Sequence, residues 1–365
     1  MRNKKKIAII GLKGLPAFGG AASVGEALLN EIKEDYDFTV YAISTHAFEN
    51  NFNGINQIIF KEKKISGFST LKYYVKSLFH CLFFEKYDLI HLHHSESGFI
   101  TPFLRLKYIV ILTLHGVFLN KYDPKFNKII NHFFRFSEKM NIKFANVIVS
   151  VSKTDQEFIK KNYKRDCIYI PNGVNKQEIN ITNQKKQFDF LFIAARIYEI
   201  KGLHILLEAI KKHKIDSKLL VIGDLNQDEG YKKKIMELSE ELNIQYIPLI
   251  REKYKLFEYI SKSKIFVFPS LFEAMSMTLL EVVAHQIPVL SSDIQSVKNI
   301  FNENDVTFFE SYNSDDLAEK LIFCLNNGEI INRRSRNAYS KVVEKFTWDK
   351  IAEEYKVIYN ELMSV

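Results

Sequence analysis

Residues 7–24 read IAIIGLKGLPAFGGAASV. An apolar, β-branched run, Ile7–Ile10, breaks into glycines and then into a helix-like pattern beginning near Gly20. A buried strand, a glycine-rich turn and a helix start together suit an anion, because the first backbone N–H groups of a helix have no partner within it. The spacing excludes two familiar phosphate loops. Gly11, Gly14, Gly19 and Gly20 do not form G-x-G-x-x-G, and the second strand ends in Tyr41-Ala-Ile-Ser-Thr45 with no acidic residue. No Gly-Lys-Ser/Thr follows either. What remains is a loop longer than the usual two to six residues, feeding a helix.

The same alternation runs down the chain. In the first half, strands are expected at Lys6–Ile10, Phe38–Ile43, Leu89–His93, Tyr108–Leu114, Val147–Val151 and Cys167–Ile170. Helices are expected between them at Ala21–Lys33, Leu71–Phe84, Lys125–Phe144 and Lys153–Asn162. The pattern then restarts, with strands at Phe188–Ala194, Leu219–Gly223, Gln245–Pro248, Ile265–Phe268, Val289–Ser291 and Val306–Phe309. Its helices are Gly202–Lys212, Tyr231–Leu242, Lys253–Ser261, Thr278–Ala284 and Ser314–Asn326. This predicts two similar α/β domains with parallel sheets, joined by a polar linker at Glu178–Gln187. A terminal helix follows Thr347, with Ile351, Tyr355, Ile358 and Leu362 on one face.

The composition fits. The chain has 365 residues, 47% hydrophobic and 26% charged, enough for two folded domains and unlike a disordered chain. Cys81, Cys167 and Cys324 make no C-x-x-C pair and read as buried free thiols. The apolar run after the basic start is too short for a secretory or membrane-spanning segment, and a cytoplasmic protein is expected. The net charge of +8 is uneven: residues 1–180 hold 26 basic and 16 acidic side chains, and the remainder is slightly acidic. A basic, aromatic half suits an anionic membrane face or a nucleic acid, or is merely solvated. The excess is diffuse and no nucleic-acid module is visible.

In open α/β sheets ligands bind beyond the carboxyl ends of strands, so the residues just after each strand carry the chemistry. Four such stretches stand out. The first is the opening loop with Gly19 and Gly20. The second is Phe268-Pro-Ser-Leu-Phe-Glu-Ala-Met-Ser-Met-Thr-Leu-Leu-Glu281, where Glu273 lies on a loop and Glu281 in a helix. The amides of Ser276, Met277 and Thr278 offer an anion site at that helix start. Carboxylates beside an anion site suit a ligand that also carries hydroxyls; alternatively, Glu273 caps the helix and Glu281 is a surface residue. The third is Ala194-Ala-Arg-Ile-Tyr-Glu-Ile-Lys-Gly202, whose Arg196 and Lys201 suit a diphosphate, or are two solvated cations. The fourth is Thr113-Leu-His-Gly116, whose His115 enters the ligand edge or is structural. Two further signals lose on inspection. His91-Leu-His-His94 has no Asp or Cys partner at metal-ligand spacing, and Asp35-Tyr-Asp37 lies in a turn before the second strand, away from the ligand edge.

Taken in order, these motifs resemble glycosyltransferase family 4. The resemblance runs over nearly the whole chain, through Gly19-Gly20, Val149-Ser-Val-Ser152, Ile170-Pro-Asn-Gly-Val174, Ala195-Arg-x4-Lys-Gly202, Pro269-Ser-x2-Glu-x7-Glu281 and Phe346-Thr-Trp348. It implies the GT-B architecture: two Rossmann-like doubly wound domains facing a central cleft, with a C-terminal helix crossing back. The implied boundaries are 1–178 for acceptor binding, 179–346 for the nucleotide-sugar donor, and 347–365 for the returning helix. It implies retaining, metal-independent transfer from a nucleotide-diphospho-sugar, with no cofactor. By resemblance, Arg196 and Lys201 hold the donor diphosphate, Glu281 the ribose and Glu273 the donor sugar. His115 orients that sugar, and Gly19 and Gly20 let the backbone approach the donor. Acceptors in such pathways are glycans or lipid-linked glycans of surface polysaccharide synthesis, which implies contact of the basic N-terminal domain with an anionic inner membrane face. The Gly14-Leu-Pro-x-x-Gly-Gly start is also similar to members that assemble rhamnose-containing polysaccharides. Gly116 replaces a common Asp, and Ala274-Met-Ser276 a glycine-rich stretch, which bears on sugar recognition. A GT-B epimerase and a non-catalytic sugar-nucleotide binder are the alternatives; the joint presence of Arg196, Lys201, Glu273 and Glu281 favours transfer.

Overall fold

The computed structural model describes residues 4–17, 19–62, 67–117, 128–175 and 184–364, and it divides into two compact units. Unit 1 is Met1–Asn172 with Trp348–Val365, and unit 2 is Gly173–Thr347. The boundary therefore falls a few residues before the expected 178/179, because the chain's two crossings run side by side. Val174 bridges Thr347 in parallel, and its N–H donates to the Phe346 carbonyl at 2.8 Å. Residues 178–183 of the expected linker lie outside the described residues.

Among its described residues unit 1 holds eight strands: β1 (Lys6–Lys13), β2 (Asp37–Ile43), β3 (Asn51–Phe52), β4 (Ile55–Phe60), β5 (Leu89–His93), β6 (Ile109–Leu114), β7 (Val147–Ser150) and β8 (Ile168–Tyr169). Their order is β3-β4-β2-β1-β5-β6-β7-β8, parallel except for the β3–β4 pair. Ile7, Ile9, Ile10, Val110, Ile111 and Leu112 are wholly buried, as strands covered on both faces require. The helices are α1 (Gly20–Ile32), α2 (Gly67–Phe83), α3 (Thr101–Leu104), α4 (Lys128–Phe144) and α5 (Lys153–Tyr163). Residues 125–127 of the expected fourth helix lie outside the described residues. Sequence periodicity missed β3, β4 and α3, which are short or only half-buried.

Unit 2 holds β9 (Phe188–Arg196), β10 (Leu219–Asp224), β11 (Ile244–Ile247), β12 (Ser263–Phe268), β13 (Val289–Ser292) and β14 (Thr307–Phe309), ordered β11-β10-β9-β12-β13-β14 and all parallel. Its helices are α6 (Leu203–Lys212), α7 (Glu229–Ser239), α8 (Lys253–Ser261), α9 (Met277–Ala284), α10 (Gln295–Lys298), α11 (Ser314–Asn326) and α12 (Gly328–Lys345). The long α12 went unread because its apolar stripe is thin: only Ile331, Ser335, Ala338 and Val342 are buried.

The final helix, α13 (Trp348–Met363), packs on α1 within unit 1. Its Tyr359 hydroxyl lies 2.6 Å from His91 Nδ1, and Thr113 Oγ1 lies 2.8 Å from the other ring nitrogen and 3.2 Å from the Tyr355 hydroxyl. The histidine of the rejected metal motif is thus a structural joint. All three cysteines are free and buried. Tyr359→Phe strands one nitrogen of a fully buried imidazole. A cost of about 1–3 kcal/mol is expected, read as a lower urea midpoint for unit 1; an unchanged midpoint contradicts the joint.

Candidate functional site

In unit 2 the order of connection reverses between β9 and β12, which lie side by side at the centre of the sheet. The two loops that leave their carboxyl ends therefore start next to each other, at the place where open α/β sheets bind ligands. These are the loops carrying Arg196–Lys201 and Glu273. Three contacts join them. The Leu271 N–H donates to the Ile200 carbonyl at 2.8 Å. Gly202 sits at φ +72°, and a Cβ there would lie 1.9 Å from the Pro269 carbonyl oxygen. Lys201 Nζ donates to Glu273 Oε1 at 2.5 Å, with both side chains largely buried. Burial pulls the Lys201 ammonium down, but the Glu273 carboxylate outweighs it and holds the lysine above its ordinary value. The cation is thus fixed in its charged form beside the switch point.

Glu273 does not cap α9. Ser276 does, accepting the Leu279 N–H, while Glu273 also accepts the Ser270 hydroxyl at 3.2 Å. That cap leaves the Met277 and Thr278 amides at the helix start, where the backbone dipole favours negative charge. Glu281 is buried in α9 and takes the ammonium of Lys253 from α8. Its place is not the exposed one a surface residue would have. Arg196 ends β9 exposed, in register with Asp224 of β10. The structure thus gathers Lys201, Glu273 and Ser276 through directly joined loops and places Glu281 one helix turn on.

Sequence reasoning missed Lys253 and gave no role to Ser270, whose carbonyl accepts the Ser292 hydroxyl at 2.5 Å. A strand-end search selects residues that follow a strand. Lys253 opens a helix instead, and only the fold brings it to Glu281.

In unit 1 the order reverses at β1 and β5, and the opening loop leaves β1 there. Two of its glycines answer to packing. A Cβ at Gly11 would lie 2.1 Å from the His93 carbonyl oxygen, and one at Gly14 would lie 2.9 Å from the Ala47 methyl. Gly19 adopts φ +100° just before α1, and a Cβ at Gly20 would meet nothing within 4 Å, so Gly20 borders open space. The loop is pinned by side chains the sequence did not advertise. The Gln57 amide bonds both the N–H and the carbonyl of Leu15, and Glu26 accepts the Ala17 N–H.

His115 follows β6, and its ring stacks on His93 with centroids 5.4 Å apart. His93 Nδ1 and His115 Nε2 lie 3.1 Å apart, one donating and one accepting, while His115 Nδ1 is buried with no partner among the described residues. Gly116 adopts φ +130°, a conformation that an Asp would strain. Burial pushes His91 down to about 3. Burial, reinforced by neighbouring histidines, holds His93 and His115 well below their ordinary value as well. All three are neutral at physiological pH. Asp35 pairs with Lys356, and no group of three or more His, Cys, Asp or Glu suited to a metal occurs among the described residues.

A histidine neutral in the fold and protonated when unfolded contributes stability that is complete above its unfolded value of ~6.5 and lost as the pH falls below it. Each of the three costs up to about 1.4 kcal/mol per pH unit in that range. Unit 1 is expected to lose urea resistance between about pH 6.5 and 4, and His93→Gln to flatten that slope; a flat wild-type profile contradicts the buried neutral stack. Gly202→Ala is expected to force the Pro269 loop away and to lower the stability of unit 2 by about 2–3 kcal/mol, measured as the unfolding midpoint.

Two family models match the chain. The family model described as "Glycosyltransferase Family 4" matches residues 18–178, and the one described as "Glycosyl transferases group 1" matches residues 174–341. An uncharacterised glycosyltransferase of Methanocaldococcus jannaschii is 28% identical over 352 residues, covering 95% of this chain and 96% of its own. The UDP-Gal:alpha-D-GlcNAc-diphosphoundecaprenol alpha-1,3-galactosyltransferase of Escherichia coli is 26% identical over 79% of each chain. Among solved structures, the sucrose-phosphate synthase of Thermosynechococcus elongatus superposes with a TM-score of 0.82 at 18% identity, over 99% of this chain and 100% of its own.

Proposed function

The chain belongs to glycosyltransferase family 4 and is a glycosyltransferase of GT-B fold; we propose that it transfers a sugar, with retention and without a metal, from a nucleotide-diphospho-sugar to a glycan or lipid-linked glycan of surface polysaccharide synthesis. One observation carries the reading: a buried, charge-fixed Lys201 held by Glu273 where β9 and β12 part, beside the start of α9.

In this reading Arg196, Lys201 and the α9 amides of Ser276, Met277 and Thr278 hold the diphosphate. The bond from the sugar's anomeric carbon to the phosphate oxygen breaks, and negative charge grows on that phosphate. A cation already in place stabilises this charge without reorganising, which is the most effective form of electrostatic catalysis. The acceptor oxygen bonds to the anomeric carbon on the same face, and its proton passes to the departing phosphate. Glu281 binds the ribose hydroxyls, which requires Lys253 to yield its place. Glu273 contacts hydroxyls of the donor sugar while still holding Lys201. The neutral His115, its Nδ1 without a partner among the described residues, orients the sugar by hydrogen bonding, and Gly19 and Gly20 admit the donor to the backbone.

The E. coli relative, by its name, uses UDP-Gal and a diphosphoundecaprenol-linked acceptor. That supports a nucleotide-sugar donor and a lipid-linked acceptor here. The reading is tested by turnover with the donor that the protein accepts. Lys201→Ala and Glu273→Ala are each expected to lower kcat by about 10²–10³, as loss of one preorganised charge-stabilising donor does. Glu281→Ala is expected to raise KM more than it lowers kcat. Transfer is expected to persist in EDTA. Full activity of both Lys201→Ala and Glu273→Ala contradicts the assignment, and a new sugar nucleotide formed without acceptor favours an epimerase.

A further inference from the structure

Lys253 stands in a place that its own helix does not favour. It is the first residue of α8, the end where the backbone dipole disfavours a cation. The acid beside it does not compensate, because Glu252 takes Lys255 at 2.6 Å and the Tyr254 hydroxyl at 2.6 Å. The ion partner of Lys253 among the described residues is Glu281, across the seam between α8 and α9. The two members differ in exposure: 46% of the Lys253 side chain is open to solvent and 11% of the Glu281 side chain. A surface cation thus covers a largely buried carboxylate.

The seam does not need this pair to hold. The His285 ring lies against that of Phe257 with centroids 4.3 Å apart, which joins the end of α9 to α8. His285 Nδ1 donates to the Glu281 carbonyl at 2.8 Å and so fixes the turn that carries the carboxylate. The neighbours of Glu281 in α9, Leu280, Val282 and Val283, are buried. Lys253 can therefore swing into solvent while the backbone of Glu281 stays where it is. The Lys201–Glu273 pair has no such freedom, since both of its side chains are largely buried.

We infer that Lys253 is a reversible occupant of the ribose position, and that it sets the affinity for the nucleotide by competing for Glu281. The inference rests on the proposed function, in which Glu281 takes the ribose hydroxyls. Two O–H groups of a ribose can donate to the two oxygens of one carboxylate, and they replace a single ammonium that water already solvates on its open side. A pair this exposed is worth little, so the exchange is nearly balanced. Its weight still enters the affinity. A ligand that needs Glu281 free binds in proportion to the fraction of molecules in which Lys253 has left. The direction is the reverse of what a lysine near a diphosphate ordinarily gives. A lysine that touches phosphate strengthens binding, whereas one that holds Glu281 weakens it.

The test is isothermal titration of the full chain with UDP, ADP and GDP, for the wild type, Lys253→Met, Glu281→Gln and the double variant. Lys253→Met is expected to bind the nucleotide about two- to sixfold more tightly than the wild type. In the Glu281→Gln background the same substitution is expected to give no gain, because the carboxylate it competes for is gone. Lys253→Arg is expected to restore the wild-type affinity. Lys253→Gln takes the place of Lys253→Met should the latter fail to fold. Equal or weaker binding by Lys253→Met overturns the inference and leaves the donor reading standing; so does an equal gain in both backgrounds. Binding of none of the three nucleotides, by the wild type or by Lys253→Met, overturns the inference and the donor reading together.

Discussion

The site in unit 2 depends on one close approach, that of Gly202 to the carbonyl of Pro269. Parallel pairing of β9 with β12 brings two loops out at adjacent points, but adjacency alone leaves their side chains free to point anywhere. Because residue 202 has no Cβ and adopts a left-handed conformation, the first loop closes onto the second. The backbone bond from Leu271 to Ile200 then sets their offset. Only with that offset fixed does Lys201 reach Glu273, both side chains largely buried, where a fixed charge counts for more than it does in water.

The pair is double-edged in a useful way. A buried ammonium on its own would tend to lose its proton; the carboxylate keeps it charged. Breaking such a pair leaves an uncompensated buried charge, which is one reason for it to persist whether or not ligand is present. The Lys253–Glu281 pair differs. Lys253 is about half exposed, so it can leave Glu281 for solvent at little cost. The chain thus keeps Glu273 firmly engaged and gives Glu281 a partner that can depart; in the proposed function a ligand's hydroxyls take that place.

Much of this is legible in the sequence. The alternation of β-branched runs with amphipathic segments gave the two parallel sheets, because strands buried on both faces must read as continuous apolar runs. Glycine and charge just after such runs located both loops at the switch point. What stayed hidden follows from how it is built. Gln57, Glu26 and Lys253 act across the fold on backbone or side chains far away in sequence, and no local pattern marks them. α12 was invisible because a helix on the outside of a sheet layer needs only a thin apolar stripe. The glycines of residues 7–24 divide: Gly11 and Gly14 answer to His93 and Ala47, whereas Gly20 borders open space.

In the proposed function a diphosphate binds where β9 and β12 part, held by Lys201. Isothermal titration of the full chain with a panel of nucleoside diphosphates, wild type beside Lys201→Ala, tests it most directly. At least one nucleoside diphosphate is expected to bind the wild type, and Lys201→Ala to weaken it by roughly tenfold or more, about 1.4 kcal/mol. Binding of equal strength to both proteins, or to neither, would contradict it.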